Sequence, residues 1–204
     1  MKYLSEKITD YIVKSGAVSE ESYAIYQYGF QIGLEMLCCF LTCFGIAIYL
    51  QMIPQFLLFS SIFILLRTYA GGVHLNSYTG CFICSVGVQT TILLIAHCFT
   101  LIMPMAWGII LASTVLILKN SPVENINRKL DVAEKKHCKK ITIVILAGIV
   151  LYSVGCTAAS MNKNVSLVSL TILTILISQY LGMIKYNFEK RRGINRVRLL
   201  FPFF

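Results

Sequence analysis

Two hundred and four residues, 57% of them hydrophobic and only 13% charged, carry more apolar surface than a soluble domain of this length can hide. The mean hydropathy of +0.74 excludes a disordered chain and makes a bilayer the natural solvent. The net charge of +9 reads first as an orientation signal and second as attraction for an acidic partner.

The chain opens on a helical pattern. Leu4, Ile8, Tyr11 and Ile12 share one face, and Lys2, Lys7, Asp10 and Lys14 lie elsewhere. An amphipathic helix over residues 1–18 is expected, lying in the membrane interface or packed on the protein's own surface. Gly16 is placed to end it. Ser19 followed by Glu20 and Glu21 reads as the cap and acidic first turn of the next helix. These acids, with Glu6 and Asp10, argue against a cleavable signal.

Six apolar segments follow, over residues 29–50, 52–66, 80–101, 103–118, 141–159 and 165–184. A span needs about 20 residues, so the second and fourth are short and invite local thinning or partial re-entry. The basic residues support six full crossings. The N-terminal tail, the 67–79 connection, the 119–140 loop and the tail from 185 hold seventeen of the eighteen cations. Lys163 is the exception. These are alternate connections, so the positive-inside rule places both termini and these loops in the cytoplasm. The predicted fold class is an all-α integral membrane protein. It is one membrane domain over 1–204: the N-terminal amphipathic helix, a six-span helical bundle over 20–184, and a basic cytosolic tail over 185–204. A small-residue set, Gly148, Gly155 and Ala159, admits close helix contact and hence a homodimer.

Five of the eight cysteines (Cys38, Cys39, Cys43, Cys98 and Cys156) lie in apolar runs, where a thiol packs as a small hydrophobe. Their spacing is not that of a secreted disulfide scaffold. GxxxxGK[ST], GxGxxG and HExxH do not occur, so no nucleotide cofactor, metal or nucleic-acid partner is expected.

One segment carries chemistry: Arg67-Thr-Tyr-Ala-Gly71-Gly72-Val-His74-Leu-Asn-Ser-Tyr-Thr-Gly-Cys81, between two spans on the predicted cytosolic side. Glycines at 71 and 72 permit a tight turn. The third span begins near Gly80, which puts Cys81 in its first turn. There the positive end of the helix dipole favours the nucleophilic thiolate, and a nearby imidazolium favours it further. His74 is placed to take the thiol proton and return it to a leaving amine. Arg67 either pairs with a peptide carboxylate or caps its own helix. Cys81 and Cys84 also form C-x-x-C, which leaves a zinc or redox reading open. His97–Cys98, deep in a span, and His137–Cys138, in the basic loop, point about 100° apart on a helix and compete poorly.

Arg67, Gly71-Gly72, His74 and Cys81, as R-x-x-x-G-G-x-H-x₆-C, resemble the pattern of the accessory gene regulator B family, membrane cysteine endopeptidases of bacterial quorum sensing. Gly29-Phe30-Gln31 resembles the Gly-x-Gln/Glu of that family's first span. The stretch 121–128, with Pro122 and Asn127, resembles its Pro-containing loop. The resemblance implies a short propeptide substrate with an amphipathic helix and an acidic C-terminal tail. It also implies cleavage of that tail and formation of a cyclic thiolactone or lactone. Glu35, one turn after Gln31, is an intramembrane carboxylate and therefore a functional candidate. Either Gln31 or Glu35 is placed to orient His74, as the third member of a triad does. Lys135, Lys136, Lys139 and Lys140 are candidate contacts for the acidic tail. The competing class is a non-enzymatic transporter or signalling subunit. Paired, Gly/Pro-interrupted spans that would mark a midplane transport site do not occur.

Overall fold

The computed structural model describes residues 2–73, 77–123 and 131–191. All regular structure among them is helical. After α1 (Lys2–Lys14) and a 3₁₀ turn (Glu20–Ser22) come α2 (Tyr23–Tyr49), α3 (Ile53–Ala70), α4 (Tyr78–Cys98), α5 (Met103–Asn120), α6 (Val132–Ala158) and α7 (Asn162–Arg191). The six helices α2 to α7 are long and apolar enough to cross a membrane. The chain is a polytopic helical membrane protein.

The two short segments form uninterrupted helices. α3 and α5 have 18 residues each, about 27 Å of rise. Each opens with a proline in its first turn, Pro54 and Pro104, where the missing N–H would have had no helical partner.

The last helix is the interior one. Val165, Val168, Ile172, Ile175 and Leu176 of α7 are buried against Leu66 of α3, Ile110 and Ile117 of α5, and Leu146 of α6. Hydroxyls within α7 are paired locally, Thr171 to the Leu167 carbonyl at 2.7 Å and Thr174 to the Leu170 carbonyl at 2.8 Å. Such back-bonding removes the cost of a polar group in an apolar core. A smaller cluster joins Cys43 and Ala47 of α2, Phe56 of α3 and Leu93 of α4. Higher in the same seam Cys39 stands beside Cys81 and Ser85. α2 and α4 therefore run side by side with an offset. Cys81, in the first turn of α4, lies level with Cys39, sixteen residues into α2 and about 24 Å along its axis.

α1 ends as the glycine predicts. Gly16 adopts φ +73°, and the Ala17 and Gly16 amides bond back to Ile12 and Val13 at 3.3 and 2.9 Å. These are the paired bonds of a Schellman cap. Ser19 precedes the 3₁₀ turn rather than capping α2 directly. α1 packs antiparallel on the start of α2, with Tyr23 donating to Asp10 at 2.8 Å and Gln27 to Glu6 at 3.4 Å. The face turned inward is not the apolar stripe. Ser5 and Thr9 are fully buried, while Tyr3, Leu4 and Tyr11 stay exposed. Both hydroxyls bond to carbonyls of their own helix at 2.8 Å, so small polar residues make the close contact without an orphan group.

Among the described residues of the basic loop, 132–140 are helix. α6 starts at Val132, about two and a half turns before the apolar run. Asp131 and Glu134 form a reciprocal capping box there. Lys119 likewise belongs to the last turn of α5. His97 and Cys98 are exposed in the last turn of α4, not deep in a span. Gly148 and Gly155 face away from the chain's own helices.

Candidate active site

The site grows from the end of α3. Arg67 lies in its last turn, half-buried. The chain then turns at Gly71 (φ +80°) and Gly72 (φ +156°). Both conformations favour glycine, and both positions are also crowded. A Cβ on Gly71 would meet the Val123 carbonyl oxygen at 2.7 Å, and one on Gly72 would run into the Arg67 guanidinium.

Two other parts of the chain grip this turn. From the α5–α6 connection, Val123 donates to the Ala70 carbonyl at 3.0 Å. Ser121 is buried, and Pro122 follows it through a cis bond. From α7, the Ser178 carbonyl accepts from the Val73 amide at 2.9 Å. Ser178 Oγ accepts from Arg67 Nη1 at 2.9 Å. Gln179, fully buried, donates through Nε2 to the Ala70 carbonyl at 3.0 Å and to Ser121 Oγ at 3.3 Å. Gly182 completes the grip, since a Cβ there would meet the Gly72 carbonyl carbon at 2.8 Å and the Val73 nitrogen at 2.9 Å.

α4 begins two residues earlier than the sequence implies. Ser77 is its N-cap and accepts from the Gly80 amide at 3.2 Å. Cys81 is the fourth helical residue, and its own amide is already paired to the Ser77 carbonyl at 3.0 Å. Its side chain, like every helical side chain, leans back toward the N-terminus and so toward the turn. Cys81 is half-buried and Cys84 exposed. Both are close enough for charge on their sulfurs to act on the Arg67 guanidinium. The structure thus brings together Arg67, Gly71, Gly72, Pro122 and Cys81. His74 lies in 74–76 and Asn127 in 124–130, both outside the described residues.

Gln31 and Glu35 sit on α2. Glu35 is buried and accepts from Gln31 Nε2 at 3.0 Å. Glu35 is one turn from Cys39, the neighbour of Cys81, on the side toward the start of α2. That puts its carboxylate about 6 Å along the axis from the level of Cys81. The four lysines are further out on α6. Lys135, Lys136, Lys139 and Lys140 are exposed and cover one broad arc of the helix. Cations near a helix N-terminus oppose the dipole, and the Asp131–Glu134 box offsets this.

Sequence reasoning missed Ser178, Gln179 and Gly182. Their signal was a polar pair followed by glycine inside an otherwise apolar run. The chain matches the model of one protein family, described as Accessory gene regulator B, over residues 5–186. No curated relative and no solved structure matches it.

Proposed function

The chain belongs to the accessory gene regulator B family, and from that premise we propose that it is a cysteine endopeptidase that matures a cyclic signal peptide. Family membership carries a role in quorum-sensing peptide processing at a membrane. The finer reading gives each residue a task. Cys81 attacks a backbone carbonyl of the propeptide. His74 takes the thiol proton and passes it to the leaving amine, so the acidic C-terminal fragment departs and a thioester acyl-enzyme remains. The propeptide's own cysteine, or a serine for a lactone, then attacks that thioester and closes the ring. Thioester exchange roughly conserves bond energy, so proximity and exclusion of water favour the ring over hydrolysis.

The observation that carries this reading is the seat of Cys81. It is a half-buried thiol in the first turn of α4, within electrostatic reach of Arg67, whose helix runs into a glycine turn that two other segments hold in place. In the same reading the turn, the α6 lysines and both termini are cytoplasmic. The substrate is a short propeptide with an amphipathic part and an acidic tail. The deciding experiment co-expresses that propeptide with the protein in cells and follows the cleaved tail and the acyl-enzyme by mass spectrometry. Trapping of a Cys81 thioester supports the reading. Cleavage that persists in Cys81→Ala refutes it.

A further inference from the structure

Ser178 lies outside the peptidase motif, on the last span, yet it meets the candidate site at two atoms. Its Oγ accepts from Arg67 Nη1 at 2.9 Å and lies 3.4 Å from the Val73 amide nitrogen. Its carbonyl accepts from the same amide at 2.9 Å. The hydroxyls of Thr171 and Thr174 in this helix bond back to their own backbone. Ser178 Oγ instead receives a partner from another helix.

The chemistry of that partner matters. Arg67 has no carboxylate partner among the described residues, where the ion pair found is Lys2–Glu6. A neutral acceptor therefore holds the guanidinium without cancelling its charge, which stays within electrostatic reach of the Cys81 and Cys84 sulfurs. An arginine side chain has several rotatable bonds, and one good acceptor removes most of that freedom. The Val73 contacts do the same for the backbone leaving the Gly71–Gly72 turn. Gln179 and Gly182 hold the other side of that turn.

We propose that Ser178 is a positioning residue of the candidate active site: it aims Arg67 at Cys81 and fixes the exit of the glycine turn, so the interior helix α7 sets the geometry of a nucleophile carried on α4. This rests on Cys81 being the nucleophile.

The test measures alkylation of Cys81 in the full-length protein in membranes, with Cys138 as the internal reference, and propeptide cleavage in parallel. Ser178→Ala is expected to slow Cys81 labelling about 3- to 10-fold with Cys138 unchanged, and to lower kcat more than it raises KM. Ser178→Thr, which keeps the acceptor, restores labelling to within about 2-fold of the parent. In an Arg67→Gln background Ser178→Ala adds less than about 2-fold, because alanine keeps the carbonyl that holds Val73 and the lost hydroxyl acts chiefly through the arginine. Unchanged labelling and kcat in Ser178→Ala overturn the proposal, as does a full independent loss in the double variant. Labelling needs no propeptide, which separates the two ideas. Ser178-dependent labelling without cleavage by the parent protein removes the peptidase reading and keeps the positioning role. Cleavage by the parent that Ser178→Ala leaves intact does the reverse.

Discussion

Gln31 donates its side-chain amide to the Glu35 carboxylate, 3.0 Å away and one turn along α2. The hydrogen bond ties the two candidates for orienting His74 into one unit, so that Gln31 can act through the Glu35 carboxylate as well as directly. Glu35→Gln is expected to lower kcat for propeptide cleavage by about 100- to 10,000-fold, the range for loss of an acid that orients a catalytic base. Gln31→Ala is expected to cost about 3- to 10-fold, since the acid stays but is less well held. Equal rates for the parent and Glu35→Gln exclude the acid from the reaction.

Cys81 is expected to be the first thiol alkylated near neutral pH, ahead of Cys138. His74→Ala is expected to slow that labelling without changing Cys138. Cys81→Ala and His74→Ala are each expected to abolish cleavage while the protein still inserts and accumulates. Cys84→Ala separates the peptidase from a dithiol redox enzyme, because it preserves cleavage in the first case and ends activity in the second. Peptide mapping after limited alkylation and gel analysis of co-expressed propeptide give both readouts.

The α6 lysines form a helical face rather than a flexible loop, so their positions relative to one another are fixed. Replacing Lys135, Lys136, Lys139 and Lys140 by glutamine is expected to raise KM about 3- to 10-fold at low salt and less at high salt, with kcat unchanged. Steady-state cleavage at two ionic strengths checks this. Preserved orientation with unchanged KM assigns these lysines to topology alone.

Gly72→Ala places a methyl group where the Arg67 guanidinium lies, and Gly182→Ala presses on the Gly72 and Val73 backbone from the other side. Each is expected to displace the turn and reduce both Cys81 labelling and cleavage about 10-fold or more. Gly71→Ala adds the backbone strain of an essentially glycine-only conformation (φ +80°, ψ −170°), about 1–3 kcal/mol. Gly148→Ala, on an open face of α6, is the matched control and is expected to change neither readout.

Much of this architecture is legible in the sequence because a bilayer leaves few options. Apolar runs gave six crossings, and the cap at Gly16 and the turn at Gly71-Gly72 followed from residue chemistry. Hydropathy could not tell which span is interior, because lipid-facing and protein-facing residues are equally apolar. α7 became the core through contacts that Val168, Ile172 and Gln179 reveal only in three dimensions. It also could not find the start of α6, since the Asp131–Glu134 box begins that helix among charged residues. On α1 the stripe left open whether it faced lipid or protein, and the tight contact with α2 is made by Ser5 and Thr9 while Leu4 and Tyr11 face outward.

The offset between α2 and α4 sets a ruler for whatever reaches Cys81. From the level of Tyr23 to that of Cys39 is about 24 Å, and an extended chain advances at most about 3.5 Å per residue. A peptide held at the level of Tyr23 must therefore spend at least about seven residues in transit before one of its bonds lies beside the sulfur. Shorter tethers fall short however well they bind. The spacing between a substrate's anchored part and its scissile bond is thus metered by helix length, before any side chain reads its sequence.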